Sequence, residues 1–311
     1  MQINGLKQLG SPPLFDPQRG QTVLEPPGAG VGNWAGAPSV LWDEQTRKFL
    51  MYYRLRRPRN PDDPNERGYE CRIAVSEDGL NFETIWSATK HQFDAQSVER
   101  AALVKYEDGY RLYLALETRD THRWEIWLLD ADDPTHFDPG AARPFLQPFD
   151  DRVAHVKDPV VLRVGGLWHF YVNFHPARWQ SSSSALVVSE DGIRPYWLGD
   201  VLSGTQGWDA TISRITTILH DPPLFWAFYD GGETMRESCE ERTGLAFSFD
   251  LRTFQRLSLN GPALISPHGT HSLRYCEAVP VDDRWLVYYE YTRPDGSHEL
   301  RVSEVRRSPG S

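Results

Sequence analysis

Short apolar runs rich in β-branched and aromatic residues recur along the chain, punctuated by Gly, Pro and Asp-Gly turns. No window carries the 3.6-residue apolar period of an amphipathic helix. The most apolar runs are "KFLMYYRLR", "YRLYLALET", "LWHFYVNFH", "LFWAFYDGG" and "RWLVYYEYT". Each follows a shorter strand and a turn ("PSVLWDEQTR", "AALVKYEDG", "PVVLRVGG", "TISRITTILHDPP", "EAVPVDDR"). Each precedes a third strand ("YECRIAVSEDG", "RWEIWLLDADD", "SSALVVSEDG", "RTGLAFSFD", "HELRVSEV").

Tyr52, Tyr113, Tyr171, Phe228 and Tyr288 mark one position of this unit and are spaced by 61, 58, 57 and 60 residues. A near-constant period of strands predicts an all-β fold: a five-bladed β-propeller of four-stranded antiparallel blades, closed into a ring that leaves only short edges. The blades are expected over about 33–92, 97–148, 155–204, 208–262 and 271–306, within one domain spanning 1–311. The fifth repeat runs out after three strands, so the segment 1–32, which contains "QTVLE", is expected to complete the last blade. A flexible tail is the competing reading.

With 311 residues the chain can bury a large core without metal or disulfide staples. Its net charge of -10 disfavours nucleic acid and anionic membranes as partners. Cys71, Cys239 and Cys276 are odd in number with no C-x-x-C spacing, which predicts reduced, buried thiols. The N-terminus lacks a basic region followed by an apolar one, and no apolar run approaches the roughly 18 residues of a membrane span, so a cytoplasmic protein is expected.

In an up-and-down blade the start of strand one and the end of strand two share one face of the disc. The turns on the opposite face are ordinary, whereas the strand-start face gathers carboxylates, guanidiniums, imidazoles and rings. Candidate binding residues there are Trp34, Arg54, Arg100, His155, His175, Asp230, Arg274 and Tyr275. Charged groups crowded into a funnel need water, one another or a ligand. Trp34, Trp179, Trp208 and Tyr275 are candidates to stack on a sugar ring. The insertions "NFHPARWQSSSS" and "YDGGETMRESCEERTG" are placed to shape the pocket.

The "DPVVL…GGLWHFY" of the third repeat, in phase with "APSVLWD…KFLMYYR" and the "SEDG" turns, resembles the five-bladed propeller glycoside hydrolases, a superfamily that includes families 32, 43, 62, 68 and 130. The resemblance runs from about residue 33 to 305. In the family 43 pattern it implies a general base at a first-blade Asp-Pro, a substrate-positioning aspartate at a third-blade Asp-Pro, and a general acid in the fourth blade. Hydrolysis needs such a pair, one protonated and one ionised.

Asp158 matches the third-blade aspartate, but Ala37 stands in the first-blade slot, Arg100 in the second and Tyr275 in the fifth. In the fourth blade the slot is expected near Asp209 or Thr211, with Asp209 as a stand-in acid. Two further carboxylates are candidates to complete the chemistry: Glu99 as base, and Glu277 as acid or base. "VERAAL" is faintly similar to the E-D-P-R of family 130, and "YCEAV" to the E-C of family 32. The resemblance also implies a central calcium near His271; no other cofactor is expected.

The expected function is a glycosidase acting on a small, furanosidic or otherwise modified sugar, or on a glycosylated metabolite. Two alternatives keep the fold: a lyase or cyclase acting by acid/base chemistry on a specialised metabolite, and a non-catalytic carbohydrate-binding or scaffold propeller.

Overall fold

The computed structural model describes residues 11–58 and 67–307; residues 1–10 and 308–311, part of the expected 1–311 domain, lie outside the described residues. Twenty strands follow in chain order: β1 (Gln21–Leu24), β2 (Trp34–Asp43), β3 (Lys48–Arg56), β4 (Glu70–Ser76), β5 (Glu83–Thr89), β6 (Ala95–Tyr106), β7 (Gly109–Thr118), β8 (Trp124–Ala131), β9 (Arg143–Leu146), β10 (His155–Val164), β11 (Leu167–His175), β12 (Ser183–Ser189), β13 (Tyr196–Leu202), β14 (Ile212–Asp221), β15 (Leu224–Gly232), β16 (Arg242–Ser248), β17 (Gln255–Arg256), β18 (Leu273–Val281), β19 (Arg284–Thr292) and β20 (His298–Arg306).

Antiparallel pairing groups β2 to β5, β6 to β9, β10 to β13 and β14 to β17 as sequential meanders. The last meander, β18 to β20, receives β1 as its outer strand, with Gln21 opposite Val302. The first and last strands are thus tied by one ladder. The first strands contact one another in the cyclic order β2, β6, β10, β14, β18 and back to β2. This is a propeller-like all-β architecture.

Packing between neighbouring sheets explains the repeat marker. Tyr113 donates its hydroxyl to the Gly192 carbonyl at 2.8 Å, Tyr171 to Leu251 at 2.6 Å and Tyr288 to Gly79 at 2.8 Å. Each acceptor lies in the turn between the third and fourth strands of the next sheet. Those turns are held by an aspartate accepting two backbone N–H bonds, as Asp78 does from Leu80 and Asn81 at 2.8 Å each. An apolar second-strand residue therefore carries one polar tip that locks adjacent sheets. Around it the core forms clusters, such as Tyr113, Phe145, Phe170 and Trp168, that straddle two sheets.

Every first strand carries a bulge at the same level, between Gly36 and Ser39, Val98 and Ala101, Lys157 and Val160, Ile215 and Thr217, and Arg274 and Glu277. Bulges re-aim side chains and store local backbone strain. Ala37, Asp158 and Tyr275 adopt positive φ here, at 53°, 52° and 52°. The fourth slot is Thr216, not Asp209 or Thr211. His220 and Asp221 stay in the ladder opposite Phe225 and Leu224, so Pro222 and Pro223 alone make the turn and the strand needs no compensating shift.

Candidate active site

Tyr275 sits where the five first strands converge. It is 1 % exposed, and its ring is approached by the guanidiniums of Arg214 at 4.0 Å, Arg274 at 5.1 Å, and Arg54 and Arg100 at 5.8 Å. These arginines come from four different sheets, and the third contributes Asp158, whose Oδ2 accepts from the Tyr275 hydroxyl at 3.4 Å. The positive-φ bulge turns the ring inward, where it plugs the channel; it is no exposed platform for a sugar.

Around this plug lie five buried cations, Arg54, Arg56, Lys157, Arg214 and Arg274, and five buried anions, Glu99, Asp158, Asp230, Glu241 and Glu290. Arg214 is the hub on one side, reaching Asp158 at 3.0 Å, Asp230 at 2.7 Å and Glu241 at 3.1 Å. Arg274 is the hub on the other, bonding Glu241 at 2.7 Å and Glu290 at 2.6 Å. Arg54 links Glu290, at 3.3 Å, to Glu99. Balanced pairing is what lets these charges be buried, since removing one partner leaves an uncompensated ion.

Glu290 fills the space beside Gly36, the residue before the first-sheet slot. Gly36 precedes Ala37, and a Cβ on it would lie 1.6 Å from Glu290 Oε2. Glycine here makes room for a carboxylate delivered from β19. His298 accompanies it, with Nδ1 2.8 Å from Glu290 and Nε2 3.2 Å from Glu240.

The network occupies several carboxylates with arginine and backbone donors. Burial opposes ionisation of Glu99, but Arg54 and Arg56 bind its two oxygens and hold it well below the usual range. Burial likewise opposes Glu241, yet Arg214 and Arg274 bring it down to about 2. Burial pushes Asp230 up to about 6 against Arg214, while both its oxygens accept the Tyr275 N–H at 3.1 Å.

Asp158 differs from the rest. It is fully buried; Oδ2 is fixed by Arg214, Tyr275 and Lys157, the last at 3.6 Å, while Oδ1 has no hydrogen-bond partner among the described residues. Unpartnered buried polar atoms also sit on neighbouring strands at this face: Trp34 Nε1, Arg54 Nη1, Arg56 Nε and His175 Nε2. Buried polar atoms are normally satisfied, so such a set marks a place for polar contacts.

Two histidines complete this mouth. His155 and His175 pair across β10 and β11, and Trp179 packs on both, at 4.4 and 4.2 Å. Burial, with Arg123 and Lys157 adding to it, pushes His155 down to about 4. Burial and the same lysine hold His175 well below its ordinary value, so both rings are neutral near pH 7. The Ser181 carbonyl accepts from His175 Nδ1 at 3.0 Å, leaving Nε2 a bare lone pair.

Other expected site residues lie elsewhere or work differently. Asp209 accepts from Tyr229 at 2.9 Å and Arg256 at 2.7 Å, inside its own sheet, because it precedes the strand and never reaches the bulge. Trp34 is no sugar platform: its ring stacks on His298 at 4.7 Å and faces Arg274 at 5.0 Å and Arg56 at 5.2 Å. Glu277 stands beyond the plug on the turn side, paired with Arg100, because the bulge separates it from Tyr275 by a register shift. His271 is exposed in the loop before β18, with Nδ1 on the Ser266 carbonyl at 3.0 Å. No group of three or more His, Cys, Asp or Glu residues among the described residues could hold a metal ion, and the inward carboxylates are already paired with arginines, so the donor set does not fit the implied calcium.

Sequence reasoning missed Glu241, Arg214 and Cys239. Glu241 and Cys239 come from the "ETMRESCEERTG" insertion, whose density of charged residues next to a strand start was the available signal. The Cys239 sulfur accepts from Arg56 at 3.5 Å, and it is partly exposed, whereas Cys71 and Cys276 are buried as expected.

No protein-family model and no curated protein matches the sequence. Solved structures do. A β-1,2-mannobiose phosphorylase from Listeria innocua, in complex with β-1,2-mannobiose, aligns with 94% of this chain and 94% of its own at a TM-score of 0.67 and 14% identity. A glycosyl hydrolase from Bacteroides ovatus aligns over 98% and 99% at 0.66 and 13%. A sucrose-6-phosphate hydrolase from Lactobacillus gasseri reaches 0.70 over 94% of this chain and 62% of its own, at 11% identity. The chain has the fold of the propeller glycoside hydrolases. At these identities the likeness speaks for the architecture, and the chemistry must be argued from the site. Among the described residues no helix is long and apolar enough to cross a membrane.

Proposed function

We propose that this protein is a five-bladed propeller and a carbohydrate-active enzyme, acting on a small sugar or glycosylated metabolite at the strand-start mouth, with Asp158 as its working carboxylate. The observation that carries this reading is the asymmetry of Asp158: Oδ2 is held by Arg214, Lys157 and Tyr275, while Oδ1 is unpartnered. A rigidly oriented carboxylate with one open oxygen can hold a sugar hydroxyl or take its proton. His175 Nε2 offers a second acceptor, and Arg54, Arg56 and Trp34 supply donors. The likeness to sugar-processing enzymes supports the same substrate class.

A second reading, sugar binding without hydrolysis, is favoured by the arginine pairing of Glu99, Asp230, Glu241 and Glu290, which leaves Asp158 without a free carboxyl partner in the buried cluster among the described residues. A panel of nitrophenyl glycosides that includes arabinofuranosides separates the two. Turnover supports the enzyme; saturable sugar binding with no turnover supports the binding module.

A further inference from the structure

On the turn side of Tyr275 the channel opens into a cavity of about 540 Å³, lined by residues of all five first strands at and beyond their bulges. Arg100, 1 % exposed, is in its lining, whereas Tyr275 and Asp158 are not. Volumes of about 300–1,000 Å³ are typical of small-molecule sites.

Arg100 forms the floor of this cavity, and its walls are mainly aliphatic, with Lys105, Thr217, His220 and Arg307 among them. Arg100 donates through Nη2 to the Thr216 carbonyl at 2.7 Å and to Glu277, while its Nε and Nη1 have no partner among the described residues. Val40, Leu103, Val160, Ile218 and Pro280 line the walls. Glu277 is the one carboxyl in the lining, against Arg100, Lys105 and Arg307. Lys105 is engaged by Asp43 at 3.5 Å, and Arg307 lies over the Trp285 ring at 4.9 Å.

A guanidinium with two of its three nitrogens unpartnered, in a largely aliphatic cavity that holds further cations, is matched by a ligand with one anionic oxygen group and a hydrocarbon body. A polyol would leave its hydroxyls unsatisfied against these walls. We infer that the turn-side cavity is a second binding site, independent of the Asp158 mouth, that takes a small organic carboxylate with a compact apolar body, its carboxylate seated on Arg100.

Calorimetric titration of the full chain with hexanoate, and with hexanol as the uncharged control, tests this. The expected result is a single hexanoate site with Kd below about 1 mM, and hexanol weaker by about tenfold or more. Ala278→Phe, which adds a ring to the cavity wall, should abolish hexanoate binding. Glu277→Gln, which removes the competing carboxyl from Arg100, should tighten it several-fold. Absence of saturable hexanoate binding, equal affinity for hexanol, or binding indifferent to both substitutions would overturn the inference.

Discussion

The Tyr275 hydroxyl lies 3.4 Å from Asp158 Oδ2, so the residue in the fifth-repeat slot touches the carboxylate in the third-repeat slot. The contact is long for a hydrogen bond, and Asp158 has Arg214 at 3.0 Å besides. Tyr275→Phe should therefore cost about 1 kcal/mol or less in urea unfolding. Tyr275→Ala, which removes the ring beneath four guanidiniums, should cost about 3–5 kcal/mol. Equal losses for the two would show that the hydroxyl, not the ring, holds the plug.

Gly36 and Glu290 share one space. A methyl group at position 36 would push the Glu290 carboxylate away from Arg274 and Arg54, leaving buried cations uncompensated. Gly36→Ala should lower stability by about 3–5 kcal/mol, read as a shift of the denaturant midpoint. A neutral substitution would mean that Glu290 keeps its partners by moving within the pocket.

Much of this architecture was legible in the chain. The marker residues Tyr113, Tyr171 and Tyr288 were apparent as a period because each must both pack in a core and donate to the neighbouring turn. "QTVLE" was legible because three strands leave an unpaired edge, and β1 covers it. Asp158 stood out through the Asp-Pro before an apolar strand. The partners of that aspartate did not. Arg214 lies one residue before Ile215, where a bulge shifts the register by one residue, and no residue pattern in the sequence marks where that shift falls. Glu241 reaches the network from a loop, whose path sequence spacing does not determine. Glu99 and Glu277 were expected on one face; the structure pairs Glu99 with Arg54 and Arg56 at the mouth and Glu277 with Arg100 on the turn side, a three-dimensional property that spacing does not carry.

Cys239 should be the reactive thiol. Burial opposes its ionisation, but Arg56 and Arg274 outweigh that and bring it below the ordinary thiol value, while burial pushes Cys71 up to about 12 and raises Cys276 further. Iodoacetamide labelling of the folded protein, followed by intact mass, should give one fast addition that Cys239→Ser abolishes. Fast labelling at two or three sites would contradict this.

Glu277 gives the stability a pH dependence of defined sign. Burial, opposed by Arg100, pushes its carboxyl up to about 7. The folded state then binds more protons than the unfolded state between the ordinary glutamate value and about 7, so its contribution is full at the acidic end of that window and is lost as pH rises through it. Other charged or titratable groups in the same lining are Lys105, His220 and Arg307. Urea midpoints measured from pH 5 to 8 should fall less steeply in Glu277→Gln than in the wild type, by a difference of up to about 3 kcal/mol over the window. Parallel curves would show that Arg100 keeps Glu277 ionised throughout.

The proposed chemistry at the strand-start mouth rests on Asp158. Loss of its charge beside Arg214 and Lys157 should itself lower the melting temperature, so each protein is first shown to be folded by circular dichroism. The decisive measurement is then kcat/KM of wild type and Asp158→Asn on a nitrophenyl glycoside that the wild type turns over. A drop of about 100-fold or more is expected, and a folded Asp158→Asn protein with wild-type turnover would rule out this role for Asp158.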